Sequence, residues 1–292
     1  MIKILVTGAD GQLGNEFRKL AQSCYDMEFM FTDIGELDIT NESAVNTFLD
    51  QNTVSYIINC AAYTAVDKAE EEPDKAYLLN AEAVKIIASA CNVRDISLIH
   101  FSTDYVFDGK KISPYSEEDK TNPVTVYGKS KLEGEKLLRK TKNYIIIRTS
   151  WLYSAYGNNF VKAIMRLSKE KEELQVVSDQ TGSPTWAYDL ARTTLILIDR
   201  MKNGRIQDKY ELYHFSNSGT CTWYDFAKEI VKLSGAPVKI QPVKTTDYPV
   251  KAPRPAYSVL DTRRIRNDLR IKIPDWKESL KSCISEINFL SD

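Results

Sequence analysis

A tyrosine and a lysine stand four residues apart at Tyr127 and Lys131, so a helix would place both side chains on one face. A phenol has a pKa of about 10 and is a poor acid–base catalyst at neutral pH. An ammonium about one helical turn away favours the phenolate and moves the pKa of the phenol toward the working range. The pair therefore predicts a tyrosine that exchanges a proton with a substrate oxygen.

The residues around this pair carry more weight than its spacing. With 16 tyrosines and 26 lysines in 292 residues, about 1.4 such pairs are expected by chance, and a second pair is present at Tyr224 and Lys228. Only the first pair follows a predicted strand that ends in two hydroxyl residues, Ser102 and Thr103. Parallel α/β sheets bind ligands at that end of a strand, where either hydroxyl could hydrogen-bond a carbonyl oxygen that accepts hydride. We interpret the second pair as an ordinary helix surface.

A glycine-rich turn near the N-terminus predicts a dinucleotide-binding site. Its G-x-x-G-x-x-G spacing has a chance expectation of about 0.02 in a chain with 12 glycines. Glycines let the backbone approach a pyrophosphate, and the helix that begins at the turn supplies free N–H groups. The predicted cofactor contacts in this turn are Gly8, Gly11, Gln12, Leu13 and Gly14.

Acidic residues after the second predicted strand bear on the choice of cofactor. Asp33 lies 19 residues past Gly14, where its carboxylate can accept hydrogen bonds from an adenosine ribose and repel a 2′-phosphate. Arg18 on the first predicted helix could partly neutralise such a phosphate. Both NADPH and NADH therefore stay open, and we place Asp38 and Ile39 at the adenine edge.

Short β-branched runs alternate with longer amphipathic stretches, which predicts an α/β fold with a parallel sheet covered on both faces. The predicted strands are residues 3–7, 28–32, 55–60, 97–102 and 144–148, and the predicted helices are residues 13–22, 42–50, 74–91 and 125–140. Residues 1–150 thus form a Rossmann-type doubly wound domain that binds a dinucleotide. Residues 151–292, with a strand at 211–215, form a smaller α/β lobe that binds substrate, and the chain could cross between the two lobes.

Composition excludes several classes of protein. Because 39 Lys and Arg oppose 40 Asp and Glu, the net charge of −1 gives no general attraction to nucleic acid or anionic membranes. The longest apolar runs fall far short of the ~20 residues that span a bilayer. Five cysteines without a C-x-x-C pair indicate neither a disulfide framework nor a zinc site. We expect a cytoplasmic protein in which both histidines, His100 and His214, are structural.

Longer segments carry a resemblance to a known family. They are NCAAYTAVDKAE (59–70), STDYVFDG (102–109), RTSW (148–151), DQTGSPT (179–185), TCTWY (220–224), RP (254–255) and PDW (274–276). With the glycine turn and the Tyr127 and Lys131 pair, the chain resembles the extended short-chain dehydrogenase/reductase superfamily. Within it, the chain is similar over nearly its whole length to the dTDP-4-dehydrorhamnose reductases. This resemblance implies reduction of a dTDP-sugar at its C4 ketone by NADPH or NADH, the last step of dTDP-L-rhamnose synthesis.

The resemblance also implies roles for individual residues. The catalytic set would be Thr103, Tyr127 and Lys131, with Lys131 holding the nicotinamide ribose as well. Further cofactor contacts would come from Ala62, Tyr63, Thr64 and Ser102. Substrate contacts would come from Thr103, from Asp104 beside the sugar, from Trp151 facing the deoxysugar and from Arg254 at the diphosphate.

Some members of the family bind Mg²⁺ through glutamates at a dimer interface. Glu16 matches one such position, whereas the glutamate expected around Asp189 is absent. A homodimer and a bound Mg²⁺ therefore stay open, and no metal ligands are predicted.

Two other functions share features of the sequence. A nucleotide-sugar 4,6-dehydratase or 4-epimerase has the same fold, but the dehydratases carry Asp-Glu directly after the threonine, and here Thr103 is followed by Asp104 and Tyr105. A non-catalytic subunit, like the regulatory subunit of methionine adenosyltransferase, resembles the same family and needs no proton donor. The intact set of Thr103, Tyr127 and Lys131 favours a reductase. The configuration produced at C4 and the base of the nucleotide stay open.

Overall fold

The computed structural model describes residues 1–204, 212–248 and 250–291. In that part of the chain the strands are β1 (Ile2–Thr7), β2 (Met27–Thr32), β3 (Tyr56–Asn59), β4 (Ser97–Thr103), β5 (Tyr144–Thr149), β6 (Leu152–Tyr153), β7 (Glu173–Val177), β8 (Thr181–Gly182), β9 (Thr185–Trp186), β10 (Leu212–His214), β11 (Cys221–Thr222) and β12 (Lys239–Val243). The α-helices there are α1 (Gln12–Ala21), α2 (Glu42–Gln51), α3 (Val66–Ala69), α4 (Pro73–Tyr77), α5 (Ala83–Arg94), α6 (Val126–Leu138), α7 (Phe160–Glu170), α8 (Ala187–Lys202), α9 (Trp223–Ser234), α10 (Arg263–Leu269) and α11 (Trp276–Ser291).

The main sheet is parallel, and among the described residues it has six strands in the order β2-β1-β3-β4-β5-β10. From β1 the chain moves outward to β2 and then returns to the opposite side of β1 with β3. Loops at the carboxyl ends of two such strands diverge and leave a crevice in which ligands bind. The predicted doubly wound Rossmann-type sheet is confirmed, and its crevice lies between β1 and β3.

Helices cover both faces of this sheet because its central strands are apolar on both sides. On one face α1, α8 and α10 contribute residues such as Phe17, Leu190 and Ile265 to a core that includes β1 and β3. On the other face α2, α5 and α6 pack through residues such as Ile87 and Leu138. Burial on both faces fixes the sheet firmly, so the carboxyl ends of its strands can position a site.

The predicted helix at 74–91 is interrupted, which corrects the expectation of one continuous helix. Between α4 and α5 the residues Leu78–Glu82 form a wider π-helical turn. Within that turn the Asn80 side chain accepts a hydrogen bond from the Tyr63 N–H at 2.9 Å and donates to the Tyr63 carbonyl at 3.0 Å and to Ser130 Oγ at 3.0 Å. The turn thus ties the loop after β3 to helix α6.

The second half of the chain contributes to both cores. The predicted strand at 211–215, whose residue 211 lies outside the described residues, is β10, and it pairs with β5 at the edge of the main sheet. A separate core forms among α7, α9, α11 and the parallel pair of β7 and β12. The division into domains at residue 150 stays a prediction. Within the described ranges, no helix is both long and apolar enough to span a membrane.

Candidate active site

The glycine turn after β1 lies against the loop that follows β3. Gly8 has a φ of +64°, and a Cβ there would stand 2.5 Å from the Ala61 nitrogen. A Cβ on Gly14 would stand 2.5 Å from the Ala9 Cα. Only glycine fits either position, so the turn can bring the first residues of α1 close to a bound pyrophosphate.

A cleft of about 420 Å³ opens beside this turn, at the crevice between β1 and β3. Eleven of the predicted site residues line it: Gly11, Gln12, Leu13, Ala62, Thr64, Ser102, Thr103, Asp104, Tyr127, Lys131 and Trp151. The structure therefore brings together the glycine turn, the ends of β4 and β5, and one face of α6.

Tyr127 sits in the first turn of α6, which is capped by the Thr125 side chain accepting from the Gly128 N–H at 3.0 Å. Its ring meets Tyr105 edge-on, with centroids 5.5 Å apart. Burial raises the pKa of Tyr127 to about 12; the nearby Thr103 side chain acts in the lowering direction, and the Asp104 carboxylate adds to the rise. The phenol is thus held protonated at neutral pH, in the form that donates a proton.

Lys131 is only 2% exposed and is directed toward β4. Its Nζ donates to the Phe101 carbonyl at 2.6 Å and lies 3.3 Å from His100 Nε2. Burial lowers the pKa of Lys131 to about 8, although Glu135 acts in the raising direction. The prediction that this ammonium lowers the pKa of Tyr127 is wrong, because burial has the largest effect on both groups.

The two hydroxyls at the end of β4 have different partners. Ser102 Oγ donates to the carboxylate oxygen Oε1 of the buried Glu135 at 2.6 Å. Thr103 Oγ1 donates to Asp104 Oδ1 at 3.0 Å and accepts from the Tyr105 N–H at 3.2 Å. Burial raises the pKa of Asp104 to about 6, while hydrogen bonds from Ser258 and Thr103 act to lower it. Of the two hydroxyls, Thr103 is therefore the better partner for a substrate oxygen.

A buried ion pair between Glu135 and Arg148 lies beneath the cleft, and it was not predicted from the sequence. Glu135 on α6 accepts from Arg148 Nε at 2.8 Å and from Arg148 Nη2 at 2.7 Å. Arg148 Nη1 also lies 3.4 Å from His214 Nε2, and His214 Nδ1 lies 3.0 Å from the Tyr115 carbonyl. The two bonds between Glu135 and Arg148 join α6 to β5, and they therefore help to hold the helix that carries Tyr127 in place on the sheet.

A stacked tryptophan pair forms the wall of the cleft. Trp151, directly after Ser150, has a φ of +47°, a strained backbone for a bulky residue. Its ring lies parallel to that of Trp223, with centroids 3.6 Å apart. Trp223 opens α9 and was not predicted as a site residue, although it follows a helix-capping Thr222 that the sequence shows.

Six predicted cofactor residues lie outside the lining of the cleft: the turn glycines Gly8 and Gly14, and four others. Asp33 accepts from the backbone N–H of Asp10 at 3.0 Å and of Ile34 at 2.8 Å. The others are Asp38, which is bonded to Thr40; Ile39, which is buried in the sheet core; and Tyr63, whose hydroxyl donates to Glu72 at 2.9 Å. Asp33 nonetheless stands at the end of β2 beside the glycine turn, and Arg18 pairs with Asp10 at 3.0 Å.

Arg254 lines a second groove of about 420 Å³ that shares Tyr105 and Trp223 with the cleft. Its guanidinium is bonded to Asp67 at 2.5 Å and donates to the Ala252 carbonyl at 3.2 Å. The groove continues the cleft between the two halves of the chain, and its apolar floor contains residues of α7 and β7. Arg254 therefore lies at the entrance to a groove large enough for a nucleotide.

The residues around Glu16 do not form a metal site by themselves. Glu16 is buried, accepts from Ser154 Oγ at 2.6 Å, and has a pKa that burial raises to about 7. The neighbouring Lys19 ammonium forms an ion pair with Glu286 at 2.6 Å. Within residues 1–204, 212–248 and 250–291, no group of three or more His, Cys, Asp or Glu side chains could hold a metal ion.

The doubly wound sheet, the glycine turn and the threonine, tyrosine and lysine in one cleft define an oxidoreductase of the short-chain dehydrogenase/reductase type that uses a nicotinamide cofactor. Residues 2–289 match the family described as RmlD substrate binding domain, and the chain belongs to this family.

Relatives with named activities match nearly the whole chain. The chain is 42% identical over 290 residues to the dTDP-4-dehydrorhamnose reductase of Aggregatibacter actinomycetemcomitans, covering 97% of this chain and 98% of that protein. A crystal structure of a dTDP-4-dehydrorhamnose reductase from Clostridium acetobutylicum is 45% identical, with a TM-score of 0.92 over 98% of this chain and 100% of that one. The enzyme of the same name from Bacillus anthracis, in complex with NADP, is 39% identical, with a TM-score of 0.90 and the same coverage.

Proposed function

We propose that this protein reduces the C4 ketone of dTDP-4-dehydro-L-rhamnose to the alcohol of dTDP-L-rhamnose, with NADPH or NADH as the reductant. The observation that carries the proposal is one cleft in which a glycine turn able to accept a pyrophosphate faces a half-buried, protonated Tyr127. The full-length similarity to named reductases supports the choice of substrate.

The residues of the cleft divide the work of a ketone reduction. The cofactor, when bound, supplies a hydride to C4. Tyr127 gives its phenolic proton to the developing alkoxide, and its pKa of about 12 keeps that proton in place until the oxygen becomes basic. Thr103 hydrogen-bonds the same oxygen after turning its hydroxyl from Asp104. Lys131 would hold the ribose next to the nicotinamide.

The adjoining groove suits the nucleotide half of the substrate. Its floor offers apolar contacts for a base and a deoxyribose, and its entrance holds Arg254, whose guanidinium can bind diphosphate oxygens in a two-point contact. Arg254 would leave Asp67 for this purpose, since Asp67 is partly exposed and can be resolvated. Trp151 and Trp223, at the junction of groove and cleft, would then face the sugar.

Both NADPH and NADH are proposed as cofactors. Asp33 at the end of β2 favours NADH, because its carboxylate repels a 2′-phosphate. Arg18 is close to Asp33, because both residues contact Asp10, and its guanidinium could bind that phosphate. A homodimer and a cytoplasmic location are further proposals, and no step of the reaction uses a metal.

The test supplies the purified protein with NADPH or NADH and with dTDP-4-dehydro-L-rhamnose made enzymatically. We expect loss of the reduced-nicotinamide absorbance, and NMR of the product should show the L-rhamno configuration at C4. Absorbance that stays constant would favour the non-catalytic subunit. Conversion of dTDP-glucose without net use of cofactor would favour a dehydratase or epimerase, although Tyr105 stands where the dehydratases carry a glutamate.

A further inference from the structure

His100 lies in the middle of β4, directly under Lys131, and is fully buried. The reaction proposed above gives it no task. One ring nitrogen, Nδ1, lies 3.3 Å from Asn59 Nδ2, and the other, Nε2, lies 3.3 Å from Lys131 Nζ. Both neighbours are ordinarily donors, yet a neutral imidazole accepts at only one nitrogen. The hydrogen on the ring must therefore point at one of them.

The orientation of Asn59 decides which neighbour that is. Its Oδ1 lies 3.1 Å from the Ala61 backbone N–H and accepts from Thr7 Oγ1 at 2.8 Å. A backbone N–H can only donate, so the atom it meets is the amide oxygen and not the amide nitrogen. The amide nitrogen of Asn59 consequently faces His100 Nδ1 and donates to it.

This donation places the ring hydrogen on the side of Lys131. Burial and the nearby Lys131 hold the pKa of His100 well below its ordinary value, so the ring is neutral. With Nδ1 accepting, its single hydrogen is on Nε2 and points at Lys131 Nζ. A neutral amine can accept that hydrogen, whereas an ammonium has no lone pair to offer.

We propose that His100 is a positioning residue for the reduction, which presents its Nε2–H to Lys131 and thereby opposes protonation of that lysine. The proposal rests on the proposed function. Around Lys131, the other groups are Glu135 and Tyr127 on its own helix and the Phe101 carbonyl on β4. Glu135 favours the ammonium, but its charge is shared with Arg148 of β5. His100 thus acts in the same direction as burial, which is the main cause of the low pKa of Lys131.

The first test is the pH profile of kcat/KM for the keto-sugar, which reports ionisations of the free enzyme. If the ammonium of Lys131 is the active form, wild-type activity should fall above about pH 8. The substitution His100→Gln offers an amide oxygen that accepts from the ammonium. We expect this variant to move the alkaline limb upward by roughly half a pH unit or more. An unmoved limb overturns the proposal.

A second variant changes the residue that contacts the other nitrogen of the His100 ring, Nδ1. Asn59→Asp replaces the amide donor by a carboxylate oxygen, so the ring hydrogen moves to Nδ1 and a lone pair faces Lys131. The alkaline limb should again move upward. In the His100→Gln background, Asn59→Asp should move the alkaline limb little further. A shift of the limb that persists in this background would be a direct effect of the carboxylate on Lys131, and it would contradict the role proposed for His100. The control is Tyr224→Phe, in the second tyrosine and lysine pair, which should leave the limb in place.

A stability measurement tests the proposal without turnover. Lys131 has a pKa of about 8 in the folded protein against 10.5 as its ordinary value, so the fold gains stability from this group as pH rises through that window. In His100→Gln the gain should begin at higher pH in urea titrations. In the Lys131→Met background the effect of His100→Gln on stability should no longer depend on pH between about pH 8 and 10.5, above the range in which His100 itself titrates, and a dependence that remains in this window refutes the coupling. A wild-type protein that does not reduce the keto-sugar would refute the proposed function alone.

Discussion

Replacing Tyr127 by phenylalanine removes one oxygen from the cleft and leaves the ring in place. The edge-on contact with Tyr105 survives, and Thr103 keeps its bond to Asp104, so the free energy of unfolding should change by less than about 1 kcal/mol. The neighbouring Thr103 and Lys131 are already engaged, because Thr103 is bonded to Asp104 and Lys131 to the Phe101 carbonyl. We therefore expect kcat to fall by at least about 10²-fold, which is about 2.7 kcal/mol of barrier.

The assay follows oxidation of NADPH at saturating keto-sugar, and fluorescence titration measures cofactor binding, which should stay within about twofold of the wild type. The chain offers a matched control in its second pair with the same spacing. There Lys228 Nζ lies 5.2 Å from the centroid of the Tyr224 ring, and Tyr224→Phe should leave kcat unchanged. A Tyr127→Phe variant with near-normal kcat would refute the assignment of the proton donor.

Three further predictions address cofactor, substrate and stability. Asp33→Ala should raise the ratio of kcat/KM for NADPH over NADH, since it removes like-charge repulsion, and an unchanged ratio would place Asp33 outside the adenosine site. Arg254→Ala should raise the KM for the dTDP-sugar more than tenfold, with NADPH affinity within about twofold, and Arg254→Lys should recover only part of the loss because it lacks the planar fork. Glu135→Gln should lower the free energy of unfolding by about 3 to 5 kcal/mol in urea titrations, because it leaves a buried guanidinium without its counter-charge, whereas Glu133→Gln at an exposed pair should change it by less than about 0.5 kcal/mol.

Local pattern was sufficient for the first half of the fold. The five strands predicted before residue 150 are all present, because each is a short and largely apolar run that differs clearly from the amphipathic helices between them. Four of these strands are mostly buried, and β2, at the edge of the sheet, is partly buried. The π-helical turn at Leu78–Glu82 was not predictable in this way. It depends on bonds from Asn80 to Tyr63 and Ser130, which lie 17 and 50 residues away.

The site shows the same division between local and distant information. The glycine turn and the Tyr127 and Lys131 pair can be recognised in the sequence, because each consists of a few residues that lie close together along the chain. The partners of Lys131 on β4 cannot be recognised in this way, since His100 and the Phe101 carbonyl reach it only after β4 and α6 are packed together. The pKa of Tyr127 was predicted in the wrong direction for the same reason. Burial, which the sequence does not display, has a larger effect than the neighbouring charge.

Strand β10 has a consequence for the order in which the chain can complete its fold on the ribosome. It covers the outer edge of β5, an apolar strand whose six residues are all buried, yet it follows β5 by about 60 residues. At ~5–20 residues per second, that edge stays open for ~3–12 s after β5 has been synthesised. An unpaired apolar edge is a template for association with other chains. The nascent protein therefore passes through an interval of high aggregation risk, and holdase chaperones should engage it there.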